Sequence, residues 1–301
     1  MAADRPGRHL ATPSVCRGRG PLIVGYDCVT PLGLELEDQW QAALAGKSGI
    51  GPLTRFDAGP DFPVRIAGQL PDTGHLAYPF LSPRQQAMWS SPVFKYALLV
   101  VTRALEKSGI EIDARLGPRV AVTFSSAVGG LDAVLVADRN LQAAGRLPHP
   151  YANPNSCINM VSGKVAMHTG ATGPIMSTIT ACATGLSSLL TGAMLIALQR
   201  ADLAICGAVD CAVVAPITAG FHTMNGIFHP KDEAENGAPE AASRPFLLAL
   251  LPSLTRKISS ALAILPSASV RAFLHSIIGA SVLARSSATI LAVIVAIVFS
   301  P

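Results

Sequence analysis

Ser177-Thr-Ile-Thr-Ala-Cys182-Ala-Thr-Gly185 is a β-branched run that ends in a cysteine and passes at once into the apolar stretch Leu186 to Leu198. It reads as a strand from Ile175 to Thr180, a sharp turn at the cysteine, and a helix from about Ala183 to Leu198. A further strand is predicted from Leu203 to Val209. Upstream, Val120-Ala-Val-Thr-Phe124 runs into Ser125-Ser-Ala-Val-Gly-Gly130, a second strand that meets a turn. Strand, turn and helix alternating in this way predict an α/β layered domain built by crossover connections.

The N-terminal part fits the same architecture. Leu22 to Gly25 leads into Val29-Thr-Pro-Leu-Gly33, a strand closed by a turn. A helix is predicted over Glu35 to Ala45, with Leu36, Trp40, Ala43 and Leu44 on one face and Gly46 as its stop. Ile50 to Leu81 is rich in Pro, Gly and Asp and reads as a long ordered loop. Helical spacing returns from Phe94 to Leu105, through Ala97, Leu98, Val101 and Ala104, and ends near Gly109. Residues 1–20 carry Arg5, Arg8, Arg17 and Arg19 without an apolar segment, which predicts a disordered leader rather than a secretory signal, with an organelle transit peptide as the alternative.

Composition narrows the class. Of 301 residues, 50% are hydrophobic and 14% charged, the balance of a globular chain. The net charge is +4, but Lys and Arg are scattered singly without interleaved aromatics, which argues against a nucleic-acid partner. The six cysteines form no CxxC pair and no metal-ligand spacing, so no metal is predicted and a reducing cytoplasm is the expected setting.

Two readings of Cys182 fit its residue type. Free cysteine is commonly a small core residue. A thiol at a helix N-terminus, by contrast, meets unsatisfied backbone N–H groups and the positive end of the helix dipole, the surroundings of an activated nucleophile. A strand-to-helix elbow would also lift the sulfur clear of the sheet.

Thr180-Ala-Cys182-Ala-Thr-Gly185 resembles the nucleophile motif of the β-ketoacyl-acyl-carrier-protein synthases, most closely the elongating 3-oxoacyl type II enzymes. Further segments resemble the family in the same order: Val24-Gly-Tyr-Asp-Cys-Val-Thr-Pro-Leu-Gly33, Leu44-Ala-Gly-Lys-Ser-Gly-Ile-Gly-Pro-Leu-Thr-Arg-Phe-Asp57, Phe62-Pro-Val-Arg-Ile-Ala-Gly68, Gly129-Gly130, Pro216-Ile-Thr-Ala-Gly-Phe221 and Ala242-Ser-Arg-Pro-Phe246. The resemblance implies a thiolase-like fold, of which residues 21–246 would form the N-terminal half. It implies a ping-pong reaction in fatty-acid or polyketide synthesis, needing no cofactor. Cys182 would take an acyl group from acyl carrier protein, and the carbanion from a decarboxylated malonyl-carrier donor would attack that thioester. The backbone N–H of Cys182 would be one oxyanion-hole donor. Val128 and Phe221 fall where the family lines its acyl channel, although core packing accounts equally for their apolar character. A homodimer is implied through Ile175 to Thr180. The family's two histidines and lysine lie in its C-terminal half; His149, His168, His222 and His229 match none of these positions and read as surface or polar-packing residues.

After Glu240 the composition breaks: the last sixty-one residues contain no Asp or Glu. A boundary is placed at Phe246, followed by a divergent apolar tail over 247–301. Three explanations compete. A reading-frame break after Phe246 is the leading one, because the change falls inside a motif. A membrane anchor is the second, but the uninterrupted apolar run Ala288 to Phe299 is shorter than the ~20 residues a spanning helix needs. Extending it to Ile277 places Arg285 near the middle, at a cost of ~2.5–3.5 kcal/mol. The third is a relative that packs the tail on its own core as a non-catalytic partner or scaffold. The leading expectation is a condensing enzyme carried by an incomplete chain, able to acylate itself but not to turn over.

Overall fold

The computed structural model describes residues 21–227, except 75 and 77, together with the backbone of 293–299. Five strands form one mixed sheet: β1 (Leu22–Val29), β4 (Val120–Ser125), β5 (Ile175–Met176), β6 (Leu203–Ala208) and β7 (Val293–Phe299), in the order β1-β7-β6-β4-β5. β4 pairs in parallel with β5 and with β6, whereas β7 runs antiparallel to both β6 and β1. Between β1 and β4 the chain forms α1 (Leu36–Leu44), the short antiparallel pair β2 (Ile50–Pro52) and β3 (Ile66–Gly68), α2 (Pro83–Met88) and α3 (Pro92–Ser108). The helices α4 (Leu131–Ala144), α5 (Ala152–Ser156) and α6 (Met160–Thr169) connect β4 to β5; α7 (Thr184–Ala197) connects β5 to β6, and α8 (Ala215–Thr223) follows β6.

Alternation along the central strands assigns the two faces. Val120, Val122 and Phe124 of β4 and Leu203 and Ile205 of β6 enter one core with α3 and with Val161 and Val165 of α6. The alternate positions, Ala121, Ala204 and Cys206, meet Ile196 of α7 on the other face. The sheet is thus bulky toward α3 and α6 and small-sided toward α7. Gly192 completes the fit: a Cβ there would overlap Cys206 Sγ and lie 3.1 Å from the Ala204 Cβ. The Thr123 hydroxyl, on the same face of β4, donates to the Ser188 carbonyl at 2.8 Å and pins α7 to the sheet.

β1 is fixed from the α3 side. The buried Asp27 accepts from Cys28 N at 2.7 Å and pairs with Lys107 of α3 at 3.1 Å. Burial pushes the Asp27 carboxyl above its ordinary pKa, and Lys107 acts against that. The approach is close here too, since a Cβ on Gly25 would lie 2.6 Å from the Ala104 carbonyl oxygen.

Several sequence expectations need correction. The inward face of α1 is carried by Gln39 and Ala42, while Trp40, Ala43 and Leu44 are exposed. Gln39 is drawn in by polar bonds: its Nε2 donates to the Cys28 carbonyl at 3.0 Å and its Oε1 accepts from the Thr30 hydroxyl at 2.9 Å. The segment predicted as a loop over 50–81 contains the β2-β3 pair, whose edge is held by Gln69, which donates to the Pro52 carbonyl and accepts from Thr54 and Arg55 N–H. The strand expected through Thr180 stops at Met176, because Ser177 turns its hydroxyl to Ser162 of α6 at 2.9 Å. In the tail, Val293–Phe299 is a sheet strand rather than a helix; the boundary at Phe246 and the rest of the tail lie outside the described residues.

The close seat of α7 gives a direct test. Gly192→Val should lower stability in urea unfolding by ~1–3 kcal/mol through overpacking. Gly163→Ala on α6, where the nearest neighbour is Met160 Cε at 4.0 Å, should match or exceed wild type, since Ala favours helix over Gly by ~1 kcal/mol. A wild-type midpoint for Gly192→Val would mean that α7 stands off the sheet.

Candidate active site

In open sheets, sites form beyond the carboxyl ends of parallel strands, where successive loops open side by side. Here the loops after β4 (126–130), β5 (177–183) and β6 (209–214) leave that edge together. Cys182 and Val128 both lie on it, and Phe221 lies on α8, the helix that follows.

Cys182 sits in a single 3-10 turn, Ala181–Ala183, immediately before α7, and is exposed. The turn is tight: Ala181 has φ 50°, the left-handed region that side-chain-bearing residues seldom adopt. Thr184 holds it, donating its hydroxyl to the Ala181 carbonyl at 2.7 Å and accepting from Thr180 N–H at 3.1 Å. Thr180 in turn meets Ser187 one turn further along, hydroxyl to hydroxyl at 2.7 Å. The threonines on either side of the cysteine thus shape the elbow that presents it. Seated by Gly192 and Thr123, α7 directs its N-terminal end toward this turn, where backbone N–H groups are left unpaired.

Val128 belongs to a loop organised by a residue that sequence reasoning missed. Asp210, two residues beyond β6, accepts through one carboxylate oxygen from the Ser126 hydroxyl at 2.7 Å and from Ala127 and Val128 N–H at 3.0 Å each. The Ser126 oxygen accepts from Gly129 N–H at 2.7 Å. Gly129 has φ 66°, and Gly130 lies against the Asn155 carbonyl with no room for a Cβ, so the Gly-Gly pair answers to both backbone and space. Burial pushes the Asp210 carboxyl above its ordinary value, and the bonds from Ser126 and the loop amides draw it back. The sequence held one usable sign: an isolated acid just past a strand end.

A second buried node lies beneath the edge. Ser162 of α6 bridges β4 and the end of β5, contacting the Phe124 backbone, the Met176 carbonyl at 3.0 Å and the Ser177 hydroxyl. Phe221 is placed differently from Val128, packing with Phe62 against Val64 and Ile227. His168 sits on α6 six residues past Ser162, about 9 Å along the helix axis, and bonds the Thr102 hydroxyl at 2.9 Å. Burial and the Lys164 charge push its pKa down, which suits a neutral packing residue. His149 accepts from Tyr151 N–H, His222 lies on α8, and His229 is outside the described residues. Among the described residues no group of three or more His, Cys, Asp or Glu could hold a metal ion.

Residues 22–246 match the family described as "Beta-ketoacyl synthase, N-terminal domain". The 3-oxoacyl-[acyl-carrier-protein] synthase 2 of Coxiella burnetii is 36% identical over 230 residues, covering 76% of this chain and 53% of that protein. The enzyme of the same name from Vibrio harveyi is 31% identical, over 76% of this chain and 53% of its own length. The chain therefore spans about half the length of the curated relatives it matches. Among solved structures, a β-ketoacyl synthase from Burkholderia phymatum superposes with a TM-score of 0.68 at 18% identity, covering 94% of this chain and 60% of that one. The ishigamide ketosynthase/chain length factor superposes with a TM-score of 0.58 at 25% identity, over 71% of this chain and 53% of its own. A type II polyketide ketosynthase solved with its acyl carrier protein gives a TM-score of 0.65 at 18% identity, over 94% of this chain and 58% of that one. All three share the thiolase-like fold.

The Asp210 clamp predicts a pH signature. Below the ordinary carboxylate pKa of about 3.9, Asp210 is protonated in the folded and unfolded chains alike. As pH rises past that value the unfolded chain releases its proton first, so this group's contribution to stability falls until the raised folded carboxyl also ionises. Asp210→Asn keeps an acceptor oxygen without the charge, so its stability relative to wild type should increase from pH 4 to pH 7. Asp210→Ala leaves the Ala127 amide unsatisfied and Val128 N–H with only its longer bond to the Ser126 hydroxyl, and should cost ~1–3 kcal/mol. Urea midpoints at both pH values check this; wild-type behaviour of both variants would remove the clamp.

Proposed function

The chain belongs to the β-ketoacyl synthase family through its N-terminal domain, and on that footing we propose that it acts in a 3-oxoacyl-[acyl-carrier-protein] synthase reaction with Cys182 as the acylated residue. The exposed thiol in the turn between β5 and α7, inside the segment the family shares, carries this reading. The Cys182 sulfur attacks the carbonyl carbon of an acyl-carrier thioester. The bond from that carbon to the carrier sulfur breaks, and the carrier leaves as a free thiol with the proton Cys182 gave up. The Cys182 N–H, at the amino end of α7, stabilises the oxyanion as it forms. In the second step a malonyl-carrier donor loses carbon dioxide, its carbanion bonds to the acyl carbonyl carbon as the bond from that carbon to the Cys182 sulfur breaks, and the Cys182 thiolate released takes a proton from solvent.

The partner in both steps is acyl carrier protein, which the relatives' names and the polyketide complex give for those proteins. Val128, in the loop clamped by Asp210, and Phe221, in the apolar group with Phe62 and Val64, are the proposed walls of the acyl channel. The two histidines and the lysine that the family uses for decarboxylation have no counterpart among the motifs this chain matches. Acylation is accordingly the step that its own residues support.

The same edge supports a homodimer. Among the described residues β5 is the edge strand of the sheet, bonded on one side to β4, and Ile175, Met176 and Ile179 are exposed. An apolar strand edge left open is a template for a second copy. Ile175→Lys combined with Ile179→Glu should move the protein from dimer to monomer in sedimentation velocity. A dimer unaffected by these changes would place the interface elsewhere.

Incubation with an acyl-carrier thioester tests the nucleophile. Intact-mass analysis should show one acyl group per wild-type chain and none on Cys182→Ala. Equal labelling of the two proteins, or none on wild type, would sink the assignment.

A further inference from the structure

The sheet places its last strand, in sequence order, in its interior. β7 lies between β1 and β6 and pairs with both along its length, from Leu22 opposite Phe299 to Val29 opposite Val293 on one side, and from Leu203 opposite Phe299 to Ala208 opposite Ile294 on the other. Without it, the N–H and C=O groups on the inner edges of β1 and β6 would have no partner in the middle of the domain, a cost that folded proteins avoid. β1 would also lose its hydrogen-bonded link to the parallel strands that carry Cys182, Val128 and Asp210, and would be held by α3.

The slot has helices on both sides, since α3 and α7 each pack against β7 as well as against neighbouring strands. A strand enclosed on both faces needs apolar residues at both parities of the pleat, where a surface strand needs them at one. Val-Ile-Val-Ala-Ile-Val-Phe meets that requirement at every position. This accounts for the apolar character of the run without a bilayer, and among the described residues no helix is long and apolar enough to cross one.

We propose that β1 and β6 form a strand-receptor groove whose occupant is the chain's own C-terminal run, chosen for apolarity at both parities rather than for a particular sequence. The inference is independent of the acylation of Cys182. It assigns residues 293–299 to the domain they follow, as the piece that closes its sheet.

Two native thiols make the register testable in the full-length chain. Cys28 on β1 and Cys206 on β6 are buried and free. The pairing sets Ile294 opposite Cys28 and Ala296 opposite Cys206. Cross-strand neighbours have Cα atoms ~4.5–5.5 Å apart, within the ~4.4–6.8 Å that a disulfide spans. Under mild oxidation Ile294→Cys should cross-link to Cys28, and Ala296→Cys to Cys206, in each case within one chain by peptide mapping. Exchanged pairings, or links only between chains, would overturn the proposal, the latter by assigning the groove to a second copy. Because either variant could misfold, hydrogen exchange on wild type is the companion measurement. Amides of 293–299 should be as protected as those of 203–208, and exchange at the unfolded rate would overturn the proposal. For the parity claim, Val295→Asp and Ala296→Asp should each lower Tm by about 5 °C or more. A loss confined to one of them would mean a strand covered on one face only.

Discussion

Everything at the candidate site depends on how close α7 lies to the sheet. The distance is set by subtraction of side chains: Ala121, Ala204 and Cys206 face a helix that brings Gly192 to the point of contact. One added methyl group at Gly192 would collide with the cysteine beneath it. Interiors packed to near-crystalline density transmit such a collision rather than absorb it. The first turn of α7 carries the elbow with Cys182, so the helix cannot be lifted or rotated without displacing the thiol. The Thr123 bond to the Ser188 carbonyl fixes the helix against sliding.

The bulky face of the sheet does complementary work. Val120, Val122, Phe124, Leu203 and Ile205 pack against α3 and α6 in one contiguous core, and this supplies most of the apolar burial. Polar groups enter that core where a loop must be aimed: Ser162 bridges the ends of β4 and β5, and Asp210 gathers the loop that bears Val128. Both fix backbone amides or carbonyls rather than other charged side chains. They are therefore positioning devices, and their burial cost is offset by the bonds they collect.

The sequence disclosed helices with helical apolar spacing and short apolar strands bounded by turn residues. α3 follows its helical spacing, and β4 and β6 stand as short apolar runs that end in turns. The inner face of α1 could not be read, because Gln39 is buried by bonds to Cys28 and Thr30 that no hydrophobic pattern registers. β5 was read too long because Ser177 looks like any strand residue until Ser162 is beside it. Asp210 was missed for a similar reason: a lone acid after a strand has no period. Val293–Phe299 was unreadable as a strand because a run apolar at every position has none either. Its identity as a strand rests on its pairing with β1 and β6, partners far away in the sequence.

α7 carries apolar side chains on its outer face as well as polar ones. Its inner face is taken up by the sheet, whereas Leu186, Leu190, Met194 and Leu198, spaced four residues apart, are each more than half exposed. Leu186, Leu190 and Met194 thus form an exposed apolar stripe along the helix, continued by Leu198 at its C-cap. The stripe shares its helix with the turn that presents Cys182. Any layer that covers the outer face of α7 therefore presses on the element that orients the thiol. The sheet resists such a load from the inner side, because Gly192 leaves no space between helix and strands and Thr123 holds the Ser188 carbonyl.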